Sequence, residues 1–214
     1  MESKAFIISL EKNPSISVKV IPGHFTTSSA HLSHYLDVSG LKSNAMVARD
    51  IAREMATPYL SSTLVETIVC MEKTEVIGAF LAQELLQSGM SAINGGSGEI
   101  HVVSPISNSL GQLSFNSSTM KVITNRSVIL LVASVSGGRT LDSTLDCMMY
   151  YNAKIAGISA LFMASTDPQE QDIHTLFTSA DIPGYRFFSS RKCEMCQEGQ
   201  KLDALISSEG YTKI

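Results

Sequence analysis

Five apolar residues in a row, Val128 to Val132, make the strongest hydrophobic signal in the chain. A run of that length without a polar break predicts a central parallel strand covered on both faces. A small-residue stretch, Ser136-Gly137-Gly138-Arg139-Thr140, comes soon after, and a helix is predicted from Leu141 to Tyr151. The next strand is predicted over Lys154 to Met163. Upstream, Thr67 to Met71 reads as a short buried strand, and Glu75 to Gln87 as a helix whose stripe is Val76, Ile77, Phe80, Leu81 and Leu85. Helical spacing also recurs in Met46, Val47, Ile51 and Met55, which predicts a helix over Ser43 to Ala56 with Ser43 as N-cap and Pro58 closing it. Before it, Ser15 to Ile21 alternates with the period of a half-buried strand, and Pro22-Gly23 is expected to end that strand.

Between these elements, Gly89 to Phe115 is rich in Gly, Ser and Asn. It reads as an excursion from the core with strands at Glu99 to Val103 and Gln112 to Phe115. Residues 165–214 read as irregular, punctuated by Pro168, Pro183 and Gly184, with a short helix at Leu202 to Ser207. Alternation of strand and helix through the middle predicts an α/β fold with a parallel, doubly wound sheet. A length of 214 residues suits one such domain over 1–214, with residues 1–40 contributing separate N-terminal strands.

Composition narrows the partners. A net charge of −4 with no clustered Lys or Arg argues against nucleic acid, because neutralising phosphates takes a basic face. No window approaches the apolar length of a membrane span, and no secretory leader is visible, so a soluble cytoplasmic protein with no membrane partner is expected. The four cysteines, Cys70, Cys147, Cys193 and Cys196, are too few and too unevenly placed for a disulfide framework and read as reduced thiols.

The stretch Ser136 to Thr140 carries the candidate chemistry. Glycines let backbone N–H groups approach an anion, and the helix that follows adds unpaired amides and a positive dipole end. Ser136, Gly137, Gly138, Arg139 and Thr140 are therefore candidate phosphate ligands. The alternative is a tight strand-to-helix turn with Arg139 solvated and nothing bound.

Set beside the earlier segments, this turn places the chain in a resemblance to the type I phosphoribosyltransferases, the orotate phosphoribosyltransferases above all. Phe25-Thr26-Thr27-Ser28-Ser29-Ala30-His31-Leu32-Ser33-His34-Tyr35 resembles their N-terminal Phe-Thr-Leu-x-Ser-Gly-x-x-Ser-x-Tyr hairpin, sharing Phe25, Thr26, Ser29, Ser33 and Tyr35. Cys193-Glu194-Met195-Cys196-Gln197-Glu198-Gly199 is similar to a Cys-Pro-Leu-Cys-x-x-Gly stretch found near the C-terminus of some members. The resemblance implies a parallel sheet of the type I kind under an N-terminal hood, with Phe25, Thr26, Ser29 and Tyr35 as hood or base contacts. It implies a reaction in which a base displaces pyrophosphate from phosphoribosyl pyrophosphate with Mg²⁺ bridging, and a homodimer.

Departures from the family pattern are specific. Where the family ends its strand on two acids this chain has Ala133 and Ser134, which offer no paired carboxylate acceptors to a ribose diol. From Thr74 to Met120 there is no Lys or Arg, so the basic loop that closes over pyrophosphate is missing and His101 is the one titratable cation in that span. Lys73 lies beside the position of the family's pyrophosphate-loop lysine; Ser28 stands where some members carry another lysine, and Ala30 where they carry glycine. The resemblance therefore implies either a phosphoribosyltransferase acting on a pyrimidine base or a non-catalytic protein that senses a nucleoside monophosphate.

No metal ligands are assigned from the sequence. If the segment holding His24, His31 and His34 is one strand, His24 and His34 share a face by parity and His31 does not, so hairpin surface or base stacking is the simpler reading. Cys193 and Cys196 have the spacing of half a zinc site. The second pair such a site needs is not evident, since Cys70 and Cys147 are expected on a core strand and a helix.

Overall fold

A computed structural model describes residues 1–60, 63–87, 98–109, 112–136, 139–164, 173–207 and 210–214, with Arg139 and Thr140 described in backbone only. In chain order the elements begin with β1 (Phe6–Leu10), β2 (Asn13–Thr26), β3 (Ala30–Asp37), α1 (Ser39–Ser43), α2 (Ala45–Ala56), β4 (Thr67–Cys70) and α3 (Glu75–Gln87). Then come β5 (His101–Val103), β6 (Ile106–Ser107), β7 (Leu113–Ser114), α4 (Ser117–Met120), β8 (Ser127–Val135), α5 (Arg139–Tyr150) and β9 (Lys154–Met163). The chain closes with β10 (Ile173–Thr178), β11 (Phe187–Ser189), α6 (Glu194–Gln197), β12 (Ala204–Ser207) and β13 (Gly210–Lys213).

The core sheet runs β10-β9-β8-β4-β5, and every neighbouring pair in it is parallel. Numbered by their order in the chain, these strands read 5-4-3-1-2, so the connections reverse direction between β4 and β8. Helices cover both faces, as the doubly wound expectation requires. Ile77, Leu81 and Leu85 of α3 pack with Ile51 and Met55 of α2 on the face carrying Ile68, Ile129 and Leu131. Leu141 and Met148 of α5 pack on the opposite face with Val69, Leu130 and Val132. Successive strand residues point to opposite faces, and burial on both explains why Val128 to Leu131 are fully apolar and fully buried.

A second sheet, β11-β3-β2-β12-β13 with β1 added on β2, forms the hood. It draws on both ends of the chain: β12 pairs parallel with β2 through Ala204 opposite Phe25 and Leu205 opposite Thr26. The short helix expected at Leu202 to Ser207 is in fact β12, and residues 173–214, expected to be irregular, carry four strands. Pairing to a distant strand overrides local preference there.

Other expectations also shift. Pro22-Gly23 does not end the strand; β2 runs to Thr26 across a register shift between Pro22 and Phe25. A bulge is where a strand tolerates a residue lacking an N–H. Ser43 does not cap α2 but ends α1, and Asn44 is the cap, accepting from Met46 N at 3.0 Å and Val47 N at 3.4 Å, an arrangement that contributes about 1 kcal/mol. Met46 and Val76, expected on buried stripes, are 61% and 40% exposed and belong to the solvent side of their helices. The strand at His101–Val103 is no excursion from the core but the β5 edge of the parallel sheet. Among the described residues no helix is long and apolar enough to cross a membrane.

Candidate functional site

Parallel strands that reverse their order leave a crevice at their carboxyl ends, because the helices that follow the two central strands depart to opposite faces. Here α3 follows β4 onto one face and α5 follows β8 onto the other. A cleft of about 120 Å³ opens at that point. Its floor is Glu72, just past β4, with Ala133, Ser134 and Ser136 at the end of β8 and Phe162 at the end of β9. Thr27, His34 and Tyr35 of the hood, Lys42 of α1, Tyr185 and Ile206 complete the walls.

The turn after β4 is unusual. Glu72 and Lys73 both have positive φ, +55° and +65°, a region that residues other than glycine occupy at a cost. The Thr74 amide closes it onto the Met71 carbonyl at 3.2 Å. Two further contacts hold it: Lys42 Nζ donates to the Glu72 carbonyl at 2.8 Å, and Glu72 Oε2 accepts from the Ala133 and Ser134 amides at 3.0 Å each. Burial pushes the Glu72 carboxyl above the usual carboxylate range, against the pull of those two amides and the Lys42 charge. A carboxylate thus reaches the end of β8 from the neighbouring turn, while positions 133 and 134 themselves carry none.

The hood wall is aromatic. His34 stacks on Tyr185 with ring centroids 6.0 Å apart and 22° between planes, and Phe162 meets Tyr185 edge-on at 5.6 Å. Ser33 Oγ lies 2.8 Å from His34 Nδ1. Burial, with the Arg186 charge adding to it, lowers the His34 pKa and favours the neutral ring. Burial raises Tyr35 to about 12, helped by Asp37 and Tyr211, so its phenol stays protonated. The Tyr185 hydroxyl is buried and has no hydrogen-bond partner among the described residues. Buried hydroxyls are rarely left so.

Of the residues singled out by sequence, Ser136 lines the cleft, Arg139 and Thr140 open α5, and Gly137 and Gly138 lie outside the described residues. Tyr35 faces the cleft, but Phe25 is fully buried in the hood between Tyr35 and Tyr211. Thr26 and Ser29 belong to the end of the β2–β3 hairpin, where the Ser29 and Ala30 amides bond Thr27 Oγ1 at 3.3 and 3.0 Å; Thr27, not they, lines the cleft. Lys73 is exposed on the turn after β4, at the correct end of the sheet. His101 is not near the cleft: it pairs with Thr67 at the start of β4, the opposite end of the sheet. Among the described residues the cation lining the cleft is Lys42, which carries no sequence signal because a Leu-Lys-Ser helix turn is generic.

The histidine parity argument fails as well. His24 and His31 sit on different strands of the hairpin, and the register shift in β2 turns His24 toward His31, their rings 5.1 Å apart. Cys193 and Cys196 meet this pair behind the hood, whereas Cys70 and Cys147 lie elsewhere, on β4 and α5.

No protein-family model matches the chain, and neither does any curated protein sequence. Solved structures do share its fold. Leishmania donovani UMP synthase superposes with a TM-score of 0.55 at 14% identity over 74% of this chain and 33% of that one, so the present chain spans about a third of it. Mycobacterium tuberculosis orotate phosphoribosyltransferase, solved with Fe(III) dicitrate, gives 0.50 at 12% identity over 77% and 91% of the two chains. Leishmania tarentolae adenine phosphoribosyltransferase gives 0.50 at 13% identity over 70% and 79%. Identities this low speak for architecture alone, and on that level the parallel sheet, its helices and its overlying hood make this a type I phosphoribosyltransferase fold.

Proposed function

We propose that this is an orotate phosphoribosyltransferase-like protein that binds the 5′-phosphoribosyl part of a nucleotide or of phosphoribosyl pyrophosphate in the cleft between hood and sheet. The observation that carries the reading is the cleft's position at the β4/β8 reversal, where α/β sheets bind their ligands. It holds the groups such a ligand needs. Ser136, which lines the cleft, offers a hydroxyl donor to a 5′-phosphate, and the Ser136-Gly137-Gly138-Arg139-Thr140 motif leading into α5 is the proposed phosphate site. Lys42 supplies positive charge, and the Tyr35, His34 and Tyr185 rings supply a face for a base.

If the protein turns over, the reaction is phosphoribosyl transfer to a pyrimidine base. A bond forms between ring nitrogen and the ribose anomeric carbon, the bond from that carbon to the pyrophosphate oxygen breaks, and the nitrogen's proton passes to the departing pyrophosphate or to water. Mg²⁺ would neutralise the leaving pyrophosphate, but the described lining fits it poorly. Its one carboxylate, Glu72, already accepts two amides through Oε2, and Mg²⁺ favours one or two carboxylates free to coordinate. No step is derived through it.

A second reading, non-catalytic sensing of a nucleoside monophosphate, is favoured by Ala133 and Ser134, which leave the end of β8 without acidic side chains. Calorimetric titration with uridine and orotidine monophosphates, and with phosphoribosyl pyrophosphate plus Mg²⁺, tests the shared premise. Binding of at least one of them is expected, and binding of none overturns it. Orotate consumption in the presence of phosphoribosyl pyrophosphate then selects transferase over sensor. The same reading carries a homodimer, which light scattering at micromolar concentration checks.

A further inference from the structure

The residues left unused by the cleft include one cluster with a defined geometry. His24 Nε2, His31 Nδ1, Cys193 Sγ and Cys196 Sγ all lie within 4.8 Å of one another. The two ring nitrogens are 3.2 Å apart, Cys193 Sγ is 3.4 Å from His24 Nε2, and Cys196 Sγ is 3.7 Å from His24 Nε2 and 3.3 Å from His31 Nδ1. A tetrahedral zinc with bonds of ~2.0 Å to nitrogen and ~2.3 Å to sulfur has edges of ~3.3 Å between nitrogens and ~3.5 Å between nitrogen and sulfur. Each of these separations falls within a few tenths of an ångström of those edges. From this arrangement we infer that the protein holds a structural zinc ion in a closed Cys₂His₂ site that fastens the C-terminal segment to the hood.

Local structure builds the site from both ends of the chain. His24 is placed by the shifted register of β2 and His31 by β3, across the hairpin turn. Cys193 is the residue before α6 and Cys196 lies within it, and the segment then turns at Gly199, φ +77°, with the Gln200 amide bonding back to the Met195 carbonyl at 2.9 Å. That turn delivers the Gln200 carbonyl to His24 Nδ1 at 3.0 Å. A ring nitrogen that donates its proton outward to a carbonyl leaves the other nitrogen with its lone pair facing inward, the tautomer and support a metal-bound histidine requires. Asp203 repeats the clamp: its carboxylate accepts from the His24 amide and its amide donates to the His24 carbonyl, both at 2.8 Å.

Charge and chemistry agree. Cys193, His24 and His31 are buried, and a thiolate there needs a compensating cation; two thiolates balance one divalent ion. Two sulfurs with two imidazole nitrogens select zinc over magnesium or calcium. All four ligands come from the protein, so no position is left for substrate, and the role is structural.

The test uses the whole untagged chain, expressed with zinc in the medium and purified under reducing conditions. Elemental analysis is expected to give about one zinc per chain, and replacement by cobalt to give the visible bands of a tetrahedral ion with a near-ultraviolet thiolate band. Cys193→Ser and His24→Asn should lose the ion while Cys147→Ser keeps it. If the ligand variants fail to fold, the cobalt spectrum of the wild-type protein decides by itself. Folded wild-type protein that carries no zinc and gives no tetrahedral cobalt spectrum overturns the proposal, as does a Cys193–Cys196 disulfide in reduced preparations. Neither result decides whether the cleft binds a nucleotide, which the calorimetric titrations test independently.

Discussion

Replacing Tyr185 by phenylalanine separates two consequences of the cleft's design, because they have opposite sign. The substitution removes one oxygen and leaves the ring, so the His34 stack at 6.0 Å and the Phe162 contact at 5.6 Å persist. That oxygen is buried without a partner among the described residues, and burial raises the phenol pKa well above its ordinary value. A buried hydroxyl left unsatisfied costs about 1–3 kcal/mol. Taking the low end, because water can reach part of the cleft, Y185F gains about 1 kcal/mol in the free protein, a rise in Tm of roughly 2–4 °C for a chain of this size. A nucleotide that completes the Tyr185 hydrogen bond loses it in the variant. At about 0.5–1.5 kcal/mol for a neutral hydrogen bond, Kd rises roughly two- to tenfold. Scanning calorimetry of the free protein and titration with a nucleoside monophosphate read the two effects separately. A lower Tm would show that the hydroxyl is satisfied in the free protein, and an unchanged Kd would remove Tyr185 from the ligand's reach; either refutes the reasoning.

Three further substitutions probe other parts of the structure. Lys42→Ala is expected to weaken nucleoside monophosphate binding about tenfold or more through loss of a charge-assisted contact, and an unaltered Kd in low salt would place the phosphate elsewhere. Glu72→Gln tests the raised carboxyl: the folded state keeps its proton to higher pH than the unfolded, so the Glu72 contribution is complete below the ordinary carboxylate pKa and is lost as pH rises through the folded value. Urea titrations should show the wild-type advantage over E72Q shrinking from acid to neutral pH, and an advantage that grows with pH contradicts the assignment. Gly157→Ala drives a methyl into the edge of the Tyr59 ring, 2.9 Å from its hydroxyl oxygen, and that ring is held by a 2.7 Å bond to Ser159. A loss of about 1–3 kcal/mol is expected from overpacking, and a Tm equal to wild type would mean that the ring yields freely.

What the sequence shows well is what local pattern controls. Val128 to Val132 reads as a core strand because both faces are buried, Lys154 to Met163 as the next strand, buried from Ile158 to Phe162, and Glu75 to Gln87 as a helix because its stripe repeats at helical spacing. The hood is legible only in its first half. Ala204 and Leu205 become a strand because they pair with Phe25 and Thr26, a partnership that no window around residue 204 contains. The Ser136 to Thr140 stretch and the Ala133-Ser134 pair stand out in the sequence as short motifs next to a strong strand. Lys42 and Tyr185 do not, since what makes them notable is the wall they share after residues far apart in the chain have packed. In sequence Cys193 and Cys196 read as half a zinc site, while parity groups His24 with His34 and sets His31 apart. The link between the two cysteines and His24 and His31 is a hairpin register shift and a contact across 169 residues of chain.

The hood's construction bears directly on what the cleft can do. Tyr35 and His34 project from β3, and β3 is held on one side by β2 and on the other by β11, the strand that leads into Cys193. Ile206 belongs to β12, whose pairing with β2 begins one residue after the Asp203 clamp on His24. The Cys₂His₂ cluster therefore sits where the C-terminal segment enters and leaves the hood, and tying it down fixes the strands that carry the cleft's aromatic wall. A wall set by such a tie is arranged before a ligand arrives, which lowers the ordering cost of binding. It also leaves less freedom to close over a departing group. With Lys42 on a helix bonded to the Glu72 turn, and no Lys or Arg between Thr74 and Met120, the positive charge lining the cleft is held in place as well. If the cleft holds a nucleotide as proposed, charge and aromatics fixed in this way reduce the ordering that binding requires, and the calorimetric titrations read that as a small entropic penalty.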